Sequence, residues 1–152
     1  MRSELKLREN ELPQEMAVRL FTEGKLSCSE ATLAAMAAFW GIEDPLIPRI
    51  ATAFRGGLCG TQGICGVVTG GLMAIGIKLG RDDGAQNAQA CVDCGKEFMK
   101  FARGEGSLVC LDIIGLDLSI KEQSDLFHSK VRAEVCNAQV ARCCRWLADI
   151  VK

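Results

Sequence analysis

Residues 65–80 read CGVVTGGLMAIGIKLG, and the fold turns on how this stretch is read. Together with Ile64 before it, its apolar part reads ICGVVTGGLMAIGI and spans 64–77 without a charge. A membrane-spanning helix needs about 20 such residues, so the spacing predicts a shorter helix buried in a globular core. Gly80 supplies a stop, and Lys78 falls in the last turn, where a helix C-terminus favours a cation. The internal glycines cost about 1 kcal/mol each against alanine in an exposed helix. They make sense where another backbone or a cofactor presses on that face. Gly66-x-x-x-Gly70 and Gly76-x-x-x-Gly80 both suit close helix contact.

Upstream, Ser27 and Glu30 of SCSE form a capping box, followed by ATLAAMAAFW up to Gly41. Cys28 falls in the first turn of that helix. A helix over 13–23 starts at Pro13 and stops at Gly24, and a third, about 45–55, follows Pro45 and ends at Gly56-Gly57. Downstream of the turn GRDDG, a helix over about 85–103 places Cys91, Cys94, Phe98 and Phe101 on one side. Ser107 caps a short helix, LVCLDII, with Cys110 in its first turn. Ser119 and Glu122 form a second capping box, and a last helix covers about 131–151, either joined to 119–130 or separate from it. Sustained period-two alternation is absent. The expected fold is therefore all-α: one multi-helix domain over 1–152 with a Gly-rich, Cys-containing loop, residues 1–12 being a polar extension able to stay flexible.

Composition narrows the function. Hydrophobic residues make up 49% and aromatics 5% of the 152 residues, which suits closely packed helices and excludes a disordered chain. A formal net charge of -1 with scattered cations gives no basis for binding nucleic acid. The charged N-terminus lacks the apolar core of a secretory signal, so the expected compartment is the cytoplasm. Nine cysteines, an odd number in a reducing compartment, argue against a disulfide framework.

The thiols then need another account. Cys28, Cys65 and Cys110 lie near predicted helix starts, where unpaired N–H groups and the helix dipole lower a thiol pKa. Cys136 lies inside the last helix. In GLCGTQGICG, residues 57–66, glycines at Gly63 and Gly66 would let several N–H groups converge on sulfur, as around a cluster or a thiolate. The competing account is a glycine-rich helix junction with cysteines as small hydrophobes, and the stretch alone leaves the two about even.

CGVVTG, Cys65 to Gly70, resembles the CGAxxG motif of the C_GCAxxG_C_C family, whose redox label leaves the chemistry of its thiols open. LSCSEATLAA matches the family's early cysteine at Cys28, GSLVCLDIIGLDLS the third at Cys110, and VCNAQVARCCRWLADIV the fourth at Cys136. The resemblance covers roughly 15–150. Val67 stands where the family has alanine. The resemblance implies a small helical domain with Cys28, Cys65, Cys110 and Cys136 as ligands of an iron–sulfur or other metal centre. All-thiolate ligation suits iron–sulfur or zinc, and the dispersed ligands and glycine loop favour a redox centre over structural zinc. Electron transfer or redox sensing is the function expected. Two alternatives stand beside it: a metal-free dithiol using Cys65 with Cys59, Cys28 or Cys110 as resolving partner, and a binding module in which cysteines only pack.

Cys59 shares the loop and is a further candidate ligand or resolving thiol. Cys91 and Cys94 form a C-x-x-C without a preceding strand, and core packing is the favoured role. Cys143 falls on an apolar stripe with Cys136, Val140 and Leu147, a core position; Cys144 is its neighbour. His128, the only histidine, ends a helix or lies on its solvated side, and nothing pairs it with a nucleophile. The redox partner is open, and a homodimer through alanine- and glycine-rich faces fits the composition.

Overall fold

The computed structural model describes residues 3–152 and is all-α. Its α-helices are α1 Pro13–Thr22, α2 Cys28–Phe39, α3 Gly66–Leu79, α4 Gln89–Arg103, α5 Cys110–Ile114, α6 Lys121–Leu126 and α7 Asn137–Ile150. A 3₁₀ segment, Arg49–Phe54, lies between α2 and α3, and a π-helical segment, Phe127–Cys136, joins α6 to α7. Among the described residues the only sheet-like pairing is one antiparallel bridge, Ile64 with Val109.

The two central helices, α2 and α3, pack along one another. Both are apolar around much of their circumference, as a helix enclosed by others must be; in α2 every residue from Ala31 to Ala37 is buried. Ser27 accepts the Glu30 N–H at 3.4 Å while the Glu30 carboxylate takes the Ser27 N–H at 2.8 Å, so the capping box forms as read. Contact between α2 and α3 depends on glycine. A Cβ on Gly70 would stand 2.5 Å from the Ser29 carbonyl oxygen and 3.0 Å from its Cα. On Gly66 it would collide with the Cys28 sulfur. The second pair, Gly76 and Gly80, makes no such contact: Gly76 faces open space, and Gly80 meets only its own helix at Gly76. One-sided layers complete the core, with α1 and α7 packed together and α4 laid on α3. Phe98 of α4 is fully buried and stands 5.5 Å from Trp146 of α7, ring centre to ring centre.

Four expected features differ. Ser107 does not cap the short helix: its hydroxyl accepts the Val109 N–H at 3.0 Å in a local turn, and α5 starts only at Cys110, with Val109 as its N-cap. The helix over 45–55 is instead a turn followed by the 3₁₀ segment, because Pro48 inside the span offers no N–H to an α-helical ladder. The helix over 85–103 begins at Gln89: Asp83 and Asn87 each bind the N–H two residues on, at 2.8 Å, and hold the chain in turns that compete with helix. Ser119 does not cap with Glu122; its N–H and hydroxyl both go to Asp117, at 2.9 and 2.6 Å. The last helix is continuous with what precedes it, since α6, the π segment and α7 follow one another through right-handed helical residues at both junctions.

Candidate functional site

The chain before α3 is unlike the rest of the molecule. Gly56, Gly57, Leu58, Cys59 and Gly60 have φ of 60°, 72°, 69°, 53° and 74°, and Gln62 follows at 58°. Residues with a Cβ resist this region by roughly 1–2 kcal/mol each, so Leu58 and Cys59 store strain. Gly57 has no alternative side chain: a Cβ there would stand 2.7 Å from the backbone of Gln62 and Gly63. The left-handed run coils the loop on itself, with the Gln62 and Gly63 N–H groups donating to the carbonyls of Gly56 and Gly57 at 2.9 and 2.7 Å.

That coil is a dock for α5. The Gly63 carbonyl accepts the Cys110 N–H at 2.6 Å, and the Leu108 carbonyl accepts the Cys65 N–H at 2.8 Å. The Gln62 side chain, 9% exposed, clamps the following turn by donating to the Leu116 carbonyl at 2.7 Å and accepting the Leu118 N–H at 2.8 Å. Cys65, at the N-cap of α3, is thereby brought beside Cys110, at the start of α5.

Cys28, Cys59, Cys65, Cys110 and Cys136 all line one cavity of about 550 Å³. Its apolar wall includes Phe21, Ile113, Leu118 and Phe127; Lys25, Arg55, Arg132 and His128 contribute its ionisable groups besides the thiols, and no carboxylate does. Gly66 lies in the wall, with Cys28 against it. Gly63 is not in the wall; it acts at one remove, through its carbonyl on Cys110. Cys59 is exposed, its thiol donating to the Ala53 carbonyl at 3.1 Å. Cys91 and Cys94 are half-buried on α4, and Cys143 and Cys144 are buried in α7; none of these four lines the cavity. His128 is exposed and edge-on to Phe127, 5.1 Å away.

The expectation that helix starts depress these thiols is overturned, and burial is the reason. Burial pushes Cys65 up to about 12, with Cys28 adding to the rise, against the opposing pull of the Val67 and Val68 N–H groups. Burial likewise pushes Cys136 to about 12 and Cys110 to about 11, and in both the nearby Cys28 adds to the rise. Cys28 itself is raised by burial, although the N–H groups of Gly56 and Ser29 and the charge of Arg132 favour its thiolate. The N–H groups do point at sulfur; desolvation outweighs them.

These shifts have a stability consequence. A group whose pKa is raised by folding binds its proton more tightly in the native state, so its contribution is complete below the unfolded value of about 9 and lost above it. Burial also raises Cys143 and Cys144. The melting temperature of the metal-free protein is therefore expected to hold up to about pH 9 and fall steeply from there towards 12; a flat profile across that window contradicts the buried, protonated state of these thiols.

Two residues that sequence reading passed over complete the site. One is Gln62. The other is Arg132, on the π segment one turn before Cys136. It donates to the Phe21 carbonyl at 2.8 Å, and its guanidinium lies 3.6 Å from the centre of the Phe21 ring. Burial lowers its pKa, while Cys136 and Cys28 act to raise it. π-Helical turns are rare and cluster at functional sites; no local sequence signal announces one here.

Among the described residues no three His, Cys, Asp or Glu side chains stand close enough together to hold a metal ion. The donor chemistry at the cavity still fits a thiolate-held group, since the four dispersed thiols face one space and backbone N–H groups point at two of them.

The fold and site define a small helical thiol protein with a cysteine-lined cavity. Residues 26–150 match the family model described as "Putative redox-active protein (C_GCAxxG_C_C)", and the chain belongs to that family. No curated protein and no solved structure matches it. No helix among the described residues is long and apolar enough to cross a membrane.

Proposed function

We propose that the protein is an electron-transfer or redox-sensing protein whose cavity holds an iron–sulfur cluster on Cys28, Cys65, Cys110 and Cys136. The observation that carries this is the meeting of four thiols, from α2, the N-cap of α3, α5 and the π segment, on one largely apolar cavity. A single tetrahedral ion with metal–sulfur bonds of about 2.3 Å needs its sulfurs in one tight group, whereas a polynuclear cluster stands between its ligands and keeps them apart. Since no three His, Cys, Asp or Glu side chains among the described residues stand close enough to hold one ion, we take the second. When bound, such a cluster supplies reversible one-electron storage.

The chain's own residues would hold and shelter it. Gly66 gives the Cys28 sulfur its place, the N–H groups near Cys28 and Cys65 favour their thiolates, and Arg132 brings a cation to Cys136 and Cys28. Phe21, Ile113 and Phe127 exclude water. A metal-free dithiol is less well served, because a thiol at about 12 exposes roughly a thousandfold less thiolate at neutral pH than an ordinary one. Metal binding is what would draw those protons off. Protein purified under strict exclusion of oxygen should be brown and contain iron and acid-labile sulfide in comparable amounts. A colourless product that takes up neither on anaerobic reconstitution would refute the reading.

A further inference from the structure

The cavity asks for more than a cluster. Its volume of about 550 Å³ falls within the range of about 300–1,000 Å³ typical of small-molecule sites. Much of its wall is carbon, and its fixed charge has one sign: Lys25, Arg55 and Arg132 face it without a carboxylate among the lining residues. Among the described residues none of the three forms an ion pair. Arg55 acts on Glu30 through charge, but that carboxylate makes its hydrogen bonds with Ser27 and with the Thr52 hydroxyl at 2.6 Å, not with the arginine, and it does not line the cavity. Arg132 is half-buried; besides the thiols of Cys136 and Cys28 it meets a carbonyl and an aromatic face, and no carboxylate. With the thiols protonated, these cations meet no opposite charge in the wall of an apolar cavity, and an anion that enters from solution would match them.

We propose that the cavity binds a small organic anion, its oxyanion drawn to Arg132, Arg55 and Lys25 and its apolar body lying against Phe21, Ile113, Leu118 and Phe127. This deepens the redox reading by naming the class of molecule that would meet the thiol centre, while binding itself does not require a cluster. The shape sought is a carboxylate, sulfonate or phosphate head on a hydrocarbon or aromatic body. Neither a bare inorganic ion nor a neutral hydrophobe answers both walls of the site.

The test uses the full chain, purified without oxygen, and the probe 8-anilinonaphthalene-1-sulfonate, which carries a sulfonate on an aromatic body. One molecule should bind per chain with enhanced fluorescence. Arg132→Met and Arg55→Gln should each weaken binding by about fivefold to tenfold, the scale of one lost charge-assisted contact. The neutral analogue N-phenyl-1-naphthylamine should bind weakly and equally to all three proteins. Arg132 also packs on Phe21, so a folding defect could mimic the effect in that variant. Arg55 is exposed and its side chain makes no hydrogen bond or ion pair among the described residues, so Arg55→Gln keeps the result interpretable. Equal binding of the sulfonate to all three proteins, or binding of the neutral analogue as tight as that of the sulfonate, overturns the inference. Iron and sulfide content is measured on the same samples: their absence with arginine-dependent binding intact sinks the cluster alone, and a loaded cluster with arginine-independent binding sinks the anion alone.

Discussion

Replacing Cys65 by serine should strip the protein of iron and sulfide and leave the fold standing, whereas replacing Cys143 by serine should do the reverse. The two thiols are chemically alike and both are buried, so only their surroundings separate them. Cys65 is the N-cap of α3, a position where serine is among the best residues because its oxygen accepts an N–H of the first turn, a contribution of about 1 kcal/mol. Cys65→Ser should thus melt within a few degrees of the parent, while a hydroxyl is a poor cluster ligand. Cys143 is 0% exposed, packed with Val140 and Leu147, and faces no cavity. A hydroxyl placed there without a partner costs about 1–3 kcal/mol, roughly 3–10 °C in melting temperature for a chain of this size. Iron per chain, sulfide per chain and thermal melting, measured on both variants, separate the roles. If Cys65→Ser keeps its full iron, Cys65 is not a ligand; if Cys143→Ser loses iron at unchanged stability, the assignment of that thiol to the core is wrong.

What could be read in the sequence was local. Ser27 and Glu30, Pro13 at the start of α1 and the glycine spacing at Gly66 and Gly70 all act within a turn or two of themselves, so the pattern carried their meaning. The Gly-rich stretch was also rightly suspected of a close approach, although the partner at Gly66 is a cysteine from another helix and the partner at Gly70 is a backbone. Gln62 could not be read. Its position depends on a positive φ, and its side chain works on residues 116–118, far along the chain. Arg132 was hidden for a related reason: the register of a π-helical segment is imposed by packing and leaves no repeat in the residues. The thiol pKa values went the other way from expectation because a helix start is visible in sequence and the depth of burial is not. Gly76 shows the limit of spacing alone, since its G-x-x-x-G pair is as good as the first and meets no other helix.

That contrast between glycines of one helix gives the second large effect. In α3, Gly66→Ala should cost the site far more than the fold. The new methyl meets the Cys28 sulfur, the end of a mobile side chain, and otherwise stands 3.2 Å from the Ser29 nitrogen and 3.3 Å from the Phe54 carbonyl oxygen. Small shifts relieve those backbone contacts, at about 1–2 kcal/mol for mild overpacking, but the sulfur must leave its place in the cavity wall. Gly70→Ala is aimed at backbone alone, with Ser29 oxygen at 2.5 Å and Cα at 3.0 Å. Nothing there can swing aside, so α2 and α3 must separate, and the loss should reach about 3 kcal/mol or more. Gly76→Ala enters open space and should stabilise by about 0.5–1 kcal/mol through helix propensity and a less free unfolded chain. Denaturant melts of the metal-free proteins should therefore rank Gly76→Ala above the parent, Gly66→Ala below it and Gly70→Ala lowest. Iron uptake should follow a different order, with Gly66→Ala losing most of its capacity while still folded and Gly76→Ala unchanged. Full iron uptake by a folded Gly66→Ala would mean that the Cys28 sulfur does not need the place this glycine gives it, and Cys28 would then drop out of the ligand set.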